Sequence, residues 1–235
     1  MNKEQFVSCC RDIGVEIDDD KLSMLDKFYN LLISWNEKIN LTTIVEEKDV
    51  YLKHFYDSLT LYNVKKLDSY NYKLCDVGSG AGFPGIVLKI VFPNLDIVLV
   101  DSLMKRVNYL NDVIKELNLS NIVAVHSRME DFSKVHEEEF DIITARAVGS
   151  VSYLSEMSSR ALKVGGEIIL MRGEVKKEEY NLDNMMKCLS LNLSCVKSFN
   201  LPFENSKRAL VVFKKNSSTQ SKYPRDNAKM KKNPL

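Results

Sequence analysis

The chemically most informative residues of the chain form a glycine-rich turn directly after a strand-like apolar run. Residues 73–77 make up this run, which carries Asp76 near its end. Glycines at such a position let the backbone bend tightly and let a ligand approach the main chain without a Cβ in the way. The free N–H groups of a helix that begins after the turn favour an anionic or polar ligand group. The residues of the turn are Gly78, Gly80, Gly82, Phe83, Pro84 and Gly85.

A second carboxylate follows at the spacing that nucleoside binding requires. The apolar run 96–100 ends at Asp101, which lies about 20 residues after the turn, where a carboxylate can accept hydrogen bonds from ribose hydroxyls. The two features together predict a site for a nucleoside-containing cofactor. A dinucleotide is one candidate, although the spacing Gly80-x-Gly82-x-x-Gly85 is weak evidence by itself. The three histidines, at positions 54, 126 and 136, form no arrangement that suggests hydride transfer.

The chain from Tyr72 onward alternates strand-like and helix-like segments. Short runs of Val, Ile and Leu with a helix in most gaps predict an α/β fold with a seven-stranded, mostly parallel sheet covered on both faces. Nine residues, including Pro202, separate the last two strands, so we expect an antiparallel hairpin there. The predicted strands are residues 73–77, 96–100, 121–126, 140–145, 167–171, 193–199 and 209–213, and the predicted helices are 84–91, 105–117, 151–161 and 176–189.

The two ends of the chain differ from this central pattern. Between Leu22 and Ile39, apolar residues recur at steps of three and four, and the acidic residues 18–20 before them suit a helix N-terminus. After Phe213 apolar residues thin out, and we expect this end to be poorly ordered unless a partner is bound. The sequence therefore predicts a helical N-terminal cap (1–65), an α/β domain (66–213) and a basic C-terminal extension (214–235).

Composition places the chain among ordinary globular proteins. With 235 residues, of which 45% are hydrophobic and 28% charged, the chain can bury a sizeable core. It contains no run of about 18 apolar residues that would indicate a membrane-spanning helix, and its first residues lack the organisation of a signal peptide. The five cysteines are scattered and show no C-x-x-C spacing, so we expect no disulfide, no metal site and a cytoplasmic location.

Basic residues are concentrated at the C-terminal end. The net charge of the chain is +1, but residues 214–235 hold seven basic residues against Asp226 alone. A basic end on a slightly acidic body is a candidate nucleic-acid contact, and a solvated terminus is the alternative. In either case we expect that its removal leaves cofactor binding unchanged. The basic residues are Lys214, Lys215, Lys222, Arg225, Lys229, Lys231 and Lys232.

The glycine-rich turn and several other stretches resemble one known family. Residues 76–85 resemble motif I of class I S-adenosylmethionine-dependent methyltransferases, and their Gly-Phe-Pro-Gly ending resembles the bacterial 16S rRNA guanine-N7 methyltransferases of the glucose-inhibited division protein B family. The resemblance extends in order from about residue 20 to the last residue. Arg172 stands where the family more often has lysine. Further similar stretches are residues 35–42, His54-x-x-Asp57-Ser58, residues 101–106, Arg128-x-Glu130, residues 140–148, Tyr223-Pro224-Arg225 and the terminal Asn233-Pro234-Leu235.

The resemblance implies S-adenosylmethionine as the cofactor and implies which residues contact it. In this assignment the turn glycines pass close to the methionine part, Asp76 orients the turn or meets the methionine amino group, and Asp101 holds the ribose hydroxyls. Met129 and Glu130 follow the third strand, where this fold contacts adenine. The implied cofactor-binding residues are Asp76, Gly78, Gly80, Gly82, Phe83, Asp101, Ser102, Met129, Glu130 and Arg146.

The resemblance also implies the acceptor, which is N7 of a guanine in the decoding region of 16S rRNA, as free RNA or within the small ribosomal subunit. Guanine N7 carries a lone pair and no proton, so methyl transfer needs neither a general base nor a covalent nucleophile. The rate then depends on the alignment of N7, methyl carbon and sulfur. The candidate catalytic residue is Arg146 at the end of the fourth strand, and we expect it to hold guanine O6, a phosphate or the carboxylate of the cofactor.

Two other functions remain open at this point: a small-molecule methyltransferase, and a non-catalytic ribosome-binding module with a degraded cofactor pocket. The basic C-terminal end argues against the first, and the intact glycines, Asp101 and Glu130 argue against the second. We expect a monomer that binds neither membrane nor metal. The sequence assigns no role to His54, Asp57 or Ser58.

Overall fold

A seven-stranded sheet organises the described part of the chain, which comprises residues 1–146, 149–174 and 182–235 of a computed structural model. The strand order is β3-β2-β1-β4-β5-β7-β6, in which the first five strands pair in parallel and β7 pairs antiparallel with both β5 and β6. The predicted fold class and the predicted terminal hairpin are therefore confirmed. The strands are β1 (Lys73–Val77), β2 (Asp96–Asp101), β3 (Ile122–His126), β4 (Phe140–Arg146), β5 (Leu162–Arg172), β6 (Leu191–Asn200) and β7 (Lys207–Lys215).

Helices follow most of the parallel strands, and others precede the sheet. None of the helices in the described ranges is long and apolar enough to cross a membrane. The helices are α1 (Lys3–Asp12), α2 (Asp19–Ile39), α3 (Glu47–Val50), α4 (Asp57–Leu59), α5 (Gly85–Val91), α6 (Met104–Glu116), α7 (Met129–Val135), α8 (Val151–Ser158), α9 (Asp183–Leu189) and α10 (Asn227–Lys232), with a π-helix (Tyr51–Tyr56) between α3 and α4 and a 3₁₀-helix (Thr60–Asn63) after α4.

Two hydrophobic cores lie on opposite faces of the sheet, because successive side chains of a strand point to opposite faces. Leu74 and Ile142 belong to the core that packs against α1, α2, α5 and α6. Cys75 and Ile143 belong to the core that packs against α7 to α10. Strands buried on both faces need apolar residues at nearly every position, which explains why β1, β2 and β4 are recognisable from the sequence.

The N-terminal residues are helical, as predicted. Helix α2 begins after Asp18, whose side chain accepts a hydrogen bond from the backbone N–H of Lys21. The rings of Phe28 and Phe55 stack with their centroids 5.7 Å apart, and Phe28 also lies against Phe83 of the glycine turn. The cap and the sheet thus share one continuous core, and the division of the chain at residue 65 remains a prediction.

Some elements differ from those predicted. Helix α7, after β3, was not predicted, and α8 ends at Ser158 because β5 begins already at Leu162. The predicted helix 176–189 is observed only as α9, since residues 175–181 lie outside the described residues, as do residues 147 and 148 of the motif after β4.

The C-terminal end packs against the sheet domain, so the expectation that it would be poorly ordered is wrong. Tyr223 and Met230 are buried in the core around α8. Two of the seven basic residues also serve the fold. The ammonium group of Lys215 is buried and donates to the carbonyl oxygens of Ser159 and Leu162. Arg225 forms a bidentate ion pair with Glu156, with both N···O distances at 2.7 Å.

The pair between Arg225 and Glu156 provides a test of how firmly the C-terminal end is held. Glu156 is only 1% exposed, so Arg225→Ala leaves a buried carboxylate that has lost its counter-charge. We expect the free energy of unfolding to fall by about 2–3 kcal/mol, because the backbone N–H of Arg225 still donates to Glu156. Urea denaturation measures the change. Lys232→Ala, at an exposed position, is the control and should change the free energy of unfolding by less than about 0.5 kcal/mol. Equal decreases in the two variants would contradict a stabilising role for the ion pair.

Candidate functional site

The strand order of the sheet reverses between β1 and β4. These two strands are neighbours in space although β2 and β3 lie between them in sequence. Open α/β sheets bind ligands outside the carboxyl ends of the strands at such a point. Val77 lies in register with Ala145, so the glycine turn after β1 lies beside Arg146 at the end of β4. Two cavities open at this edge, one towards α8 and α10 and the other towards the N-terminal cap.

The smaller cavity has a volume of about 220 Å³ and brings together four of the residues predicted to bind the cofactor: Gly78, Ser102, Met129 and Glu130. Helix α7 begins at Met129, so Met129 and Glu130 lie in its first turn, beside the cavity. Apolar walls with a few polar groups suit a flat nucleobase. The other lining residues, which the sequence did not indicate as a group, are Val77, Val100, Ser127, Arg128, Tyr153, Met157, Asn227 and Lys231.

Asp76 is fully buried beneath the glycine turn. Its Oδ2 accepts a hydrogen bond from the N–H of Gly85 at 2.9 Å, whereas its Oδ1 has no hydrogen-bond partner in the part of the chain that the structure describes. Burial raises the pKa of Asp76 to about 7, although the N–H of Gly85 and the charge of Arg146 oppose the rise. Because an unsatisfied buried oxygen is unfavourable, Oδ1 marks a point where a ligand donor is missing.

Close packing explains two glycines of the turn. A Cβ on Gly85 would lie 2.2 Å from Cδ2 of Leu99 and 2.8 Å from Oδ2 of Asp76. Gly82 has a φ of 89°, and a Cβ there would lie 2.8 Å from Cγ1 of Ile86. Any side chain at either position would therefore displace the turn from the carboxylate that it covers.

Asp101 also fixes the turn. It is 3% exposed, and its two oxygens accept hydrogen bonds from the N–H groups of Gly80 and Leu103, each at 2.9 Å. The guanidinium of Arg106 lies 3.6 Å from Oδ2. A carboxylate offers about four acceptor positions, so lone pairs remain for the ribose hydroxyls that the sequence assigned to Asp101.

The larger cavity has a volume of about 520 Å³, and Arg146 forms part of its wall. Arg146 holds the cap to the end of β4 through three acceptors. Its Nη1 donates to the carbonyl oxygen of Lys53 at 2.9 Å and to Oδ2 of Asp57 at 3.3 Å, and its Nη2 donates to Nδ1 of His54 at 2.8 Å. The other lining residues are Ile44, Gly149, Met171, Arg172, Gly173, Glu174 and Arg208.

The contacts of His54 define its protonation state. A guanidinium can only donate, so Nδ1 of His54 accepts from Arg146, and the proton of the neutral ring resides on Nε2, 3.0 Å from Oγ1 of Thr42. Burial, followed by the charge of Arg146, lowers the pKa of His54 to about 3. His54 is therefore neutral at physiological pH, and both of its ring nitrogens are engaged.

Asp57 lies between two arginines. Besides Arg146, the Nε of Arg208 donates to its Oδ1 at 3.2 Å. The sequence assigned no role to His54 or Asp57. Their partners Arg146 and Arg208 lie on strands about 90 and 150 residues further along the chain, so no local pattern indicates these contacts. The one local signal was a histidine and an aspartate within an apolar helical segment. Ser58 has a local role, since its hydroxyl donates to the carbonyl oxygen of His54 at 2.6 Å.

Phe83 joins the glycine turn to this cluster. Its ring stacks on that of His54 with centroids 4.4 Å apart, and the guanidinium of Arg146 lies 5.1 Å from the ring centre. Phe83 is 5% exposed, so it anchors the turn in the core. The contact with the cofactor that the sequence assigned to it remains a prediction. Arg172, where the family more often has lysine, donates to the carbonyl oxygen of Gly149 at 2.6 Å.

The chemistry of these groups suits S-adenosylmethionine. The unpartnered Oδ1 of Asp76 suits an amino group, Asp101 suits ribose hydroxyls, and the cavity beside Glu130 suits a purine. Within residues 1–146, 149–174 and 182–235, no group of three or more His, Cys, Asp and Glu residues is arranged to hold a metal ion.

Comparisons with known proteins agree with this arrangement. The model of the family described as rRNA small subunit methyltransferase G matches residues 21–210. The Bacillus cereus protein of that name is 43% identical over 231 residues, which cover 96% of this chain and 95% of the relative. Among solved structures, a 16S rRNA adenine-N1 methyltransferase mutant with SAM from Catenulisporales acidiphilia has a TM-score of 0.54 at 15% identity, covering 67% of this chain and 91% of that one.

A SAM-dependent methyltransferase from Aquifex aeolicus has a TM-score of 0.52 at 15% identity and covers 77% of this chain and 97% of its own. At such identities the two structures support the fold, and the family model together with the relative from Bacillus cereus supports the function. This chain belongs to the rRNA small subunit methyltransferase G family and is an S-adenosylmethionine-dependent rRNA methyltransferase.

Proposed function

We propose that the protein transfers the methyl group of S-adenosylmethionine to N7 of a guanine in 16S rRNA, with adenine in the smaller cavity and guanine in the larger one. The observation that carries this proposal is the position of the two cavities at one sheet edge, on either side of the glycine turn and Arg146. Asp76, between the two cavities, would hold the amino group of the methionine part, and the cofactor would supply an activated methyl group at this edge of the sheet.

Guanine N7 suits the larger cavity because it carries no proton to be removed. Its lone pair would accept the methyl group that the bound cofactor supplies, while the carbon–sulfur bonding pair would remain on sulfur, so no proton would have to move. His54 has both ring nitrogens engaged, and Asp57 is engaged by Arg146 and Arg208. These two groups are thus held as structural partners, and the protein accelerates the reaction by alignment.

Arg146 is the residue that we propose to orient the acceptor. Three of its hydrogen bonds fix the guanidinium at the cavity wall. The remaining N–H groups donate to guanine O6 or to an RNA phosphate, while the lone pair of N7 stays free for attack. A guanidinium held by three protein acceptors loses little freedom when it binds, which favours precise positioning.

The RNA surface that we propose includes the exposed lysines of the C-terminal end. Phosphate contacts position a protein on RNA without reading its sequence, and a small-molecule methyltransferase has little use for them. Arg172 and Arg208 add positive charge at the larger cavity. The exposed lysines are Lys214, Lys222, Lys229, Lys231 and Lys232.

We also propose that the protein acts as a monomer in the cytoplasm, where 16S rRNA is located, and without a metal ion. One chain supplies the residues of both cavities. A sulfonium group is already an activated methyl donor, so methyl transfer needs no Lewis acid.

Methylation assays test the function and the role of Arg146 together. With S-adenosylmethionine, the wild-type protein should convert one guanine of 16S rRNA or of the small subunit to N7-methylguanosine, detected by mass spectrometry of digested RNA. Arg146→Ala should lower kcat about 100-fold, since a misplacement of about 1 Å has such an effect. The exposed Arg11→Ala is the control. Near-normal turnover in Arg146→Ala would show that another residue positions the acceptor, and failure of the wild type on rRNA would overturn the function.

Asp76 predicts proton release on cofactor binding. With a pKa of about 7 the free carboxyl group is partly protonated at neutral pH, and a cationic amino group favours its ionised form. Binding of S-adenosylhomocysteine near pH 7 should therefore release a proton, and affinity should increase as pH rises through about 7. Calorimetry in buffers of different ionisation enthalpy measures this release. Asp76→Asn should abolish it and weaken binding by about 1.5–3 kcal/mol. Equal heats in all buffers for the wild type would contradict the contact.

The exposed lysines predict a salt-dependent contact with RNA. Lys222→Gln combined with Lys232→Gln should weaken RNA binding and flatten its log–log salt dependence by about 0.7–0.9 per lost phosphate contact. Filter binding at several salt concentrations measures the slope. The control combines Lys48→Gln with Lys115→Gln, two exposed lysines on α3 and α6. The same slope for both double variants would place the RNA surface elsewhere.

A further inference from the structure

The C-terminal segment 216–235 forms one wall of the smaller cavity. Asn227 and Lys231, both on α10, line the cavity together with residues from the strand ends. The segment is held by the buried side chains of Tyr223 and Met230, and the hydroxyl of Ser152 donates to the backbone oxygen of Leu235 at 3.0 Å. The family model ends at residue 210, before this segment, whereas the match with the relative from Bacillus cereus covers 96% of the chain.

Asn227 contacts two other residues of the cavity wall. Its Nδ2 donates to Oε1 of Glu130 at 2.6 Å and to the hydroxyl oxygen of Tyr153 at 3.1 Å. Both N–H bonds of the amide are thus used within the cavity. Arg128 lies 3.7 Å from the same Oε1. Glu130, at 5% exposed, is therefore a nearly buried carboxylate whose orientation is set mainly by an amide from the far end of the chain.

The second oxygen of Glu130 is available to a ligand. Across the described ranges, no hydrogen bond from the protein reaches its Oε2. An ionised carboxylate can only accept hydrogen bonds. In a cavity that suits a purine, such an oxygen favours a base that offers an amino group and disfavours one that offers a carbonyl oxygen at the same position.

We propose that Asn227 is a cofactor-positioning residue, which holds Glu130 so that its Oε2 accepts the exocyclic amino group of adenine. The inference rests on the proposed function, because it requires adenine in the smaller cavity. It assigns to the C-terminal segment a role in selecting the cofactor. The expectation that removal of this segment leaves cofactor binding unchanged is accordingly replaced: a truncation before Asn227 removes the residue that orients Glu130.

The test compares two nucleosides by calorimetry on the full-length protein. S-adenosylhomocysteine carries the amino group, and S-inosylhomocysteine carries a carbonyl oxygen in its place. Asn227→Ala should raise the Kd of S-adenosylhomocysteine about 10-fold and that of S-inosylhomocysteine less than about 3-fold, so that discrimination decreases. The isosteric Asn227→Asp, which fills the same space but cannot donate to Glu130, should also reduce discrimination. Asn216→Ala, an exposed asparagine in the same segment, is the matched control.

A second readout separates positioning through Glu130 from simple packing. In a Glu130→Gln background, Asn227→Ala should change the Kd of S-adenosylhomocysteine by less than about 2-fold, since coupled residues are not additive. Equal weakening of both nucleosides, or full additivity with Glu130→Gln, would overturn the proposal, as would an unchanged Kd in Asn227→Ala. Any of these three outcomes would overturn the role of Asn227 alone, provided that the wild type methylates 16S rRNA. Failure of the wild type to methylate 16S rRNA would instead overturn the proposed function.

Discussion

The carboxylate of Asp76 is the group on which the architecture of the cofactor site depends. It is fully buried at the end of β1, and one of its oxygens is held by the N–H of Gly85. That hydrogen bond fixes where the turn ends and where α5 begins, and it requires a residue without Cβ. A buried carboxylate with a second, unpartnered oxygen destabilises the free protein. Oδ1 of Asp76 lacks a hydrogen-bond donor among the described residues, and we propose that the amino group of the cofactor is that donor.

A second constraint acts across the same edge of the sheet. Arg146 connects β4 to the π-helix through Lys53, His54 and Asp57. A π-helix exposes backbone carbonyl groups in a geometry that a regular α-helix does not, and such segments are frequent at functional sites. Because His54 has a pKa of about 3, this connection keeps the same hydrogen bonds throughout the neutral pH range. The cap therefore forms a fixed wall of the larger cavity.

Those parts of the fold that rest on local chemistry could be predicted from the sequence. Buried parallel strands are continuous apolar runs, so β1 was predicted with its observed ends, and β2, β3 and β4 to within one residue at each end. The strand β5 differs, because it begins at Leu162, five residues before its predicted start. The residues predicted to bind the cofactor follow strand ends, and strand ends meet at one edge, so Gly78, Ser102 and Glu130 line one cavity. Their contact with the cofactor stays a prediction. Long-range pairs leave no local pattern. The contacts of Asp57 with Arg146 and Arg208, and of Glu130 with Asn227, join residues about 90 to 150 positions apart.

The low apolar content of the C-terminal segment wrongly predicted that this segment would be poorly ordered. Few apolar residues suffice there, because Tyr223 and Met230 are both buried and the charge of Arg225 is matched by Glu156. Helix α10 has only six residues, too few to be stable without such tertiary contacts. The same short helix presents Asn227 to the cofactor cavity and Lys232 to solvent. If adenine binds at Glu130 and an RNA phosphate binds the exposed lysines, as we propose, each interaction stabilises α10 in its packed position, and the two binding events are then linked reciprocally through this helix.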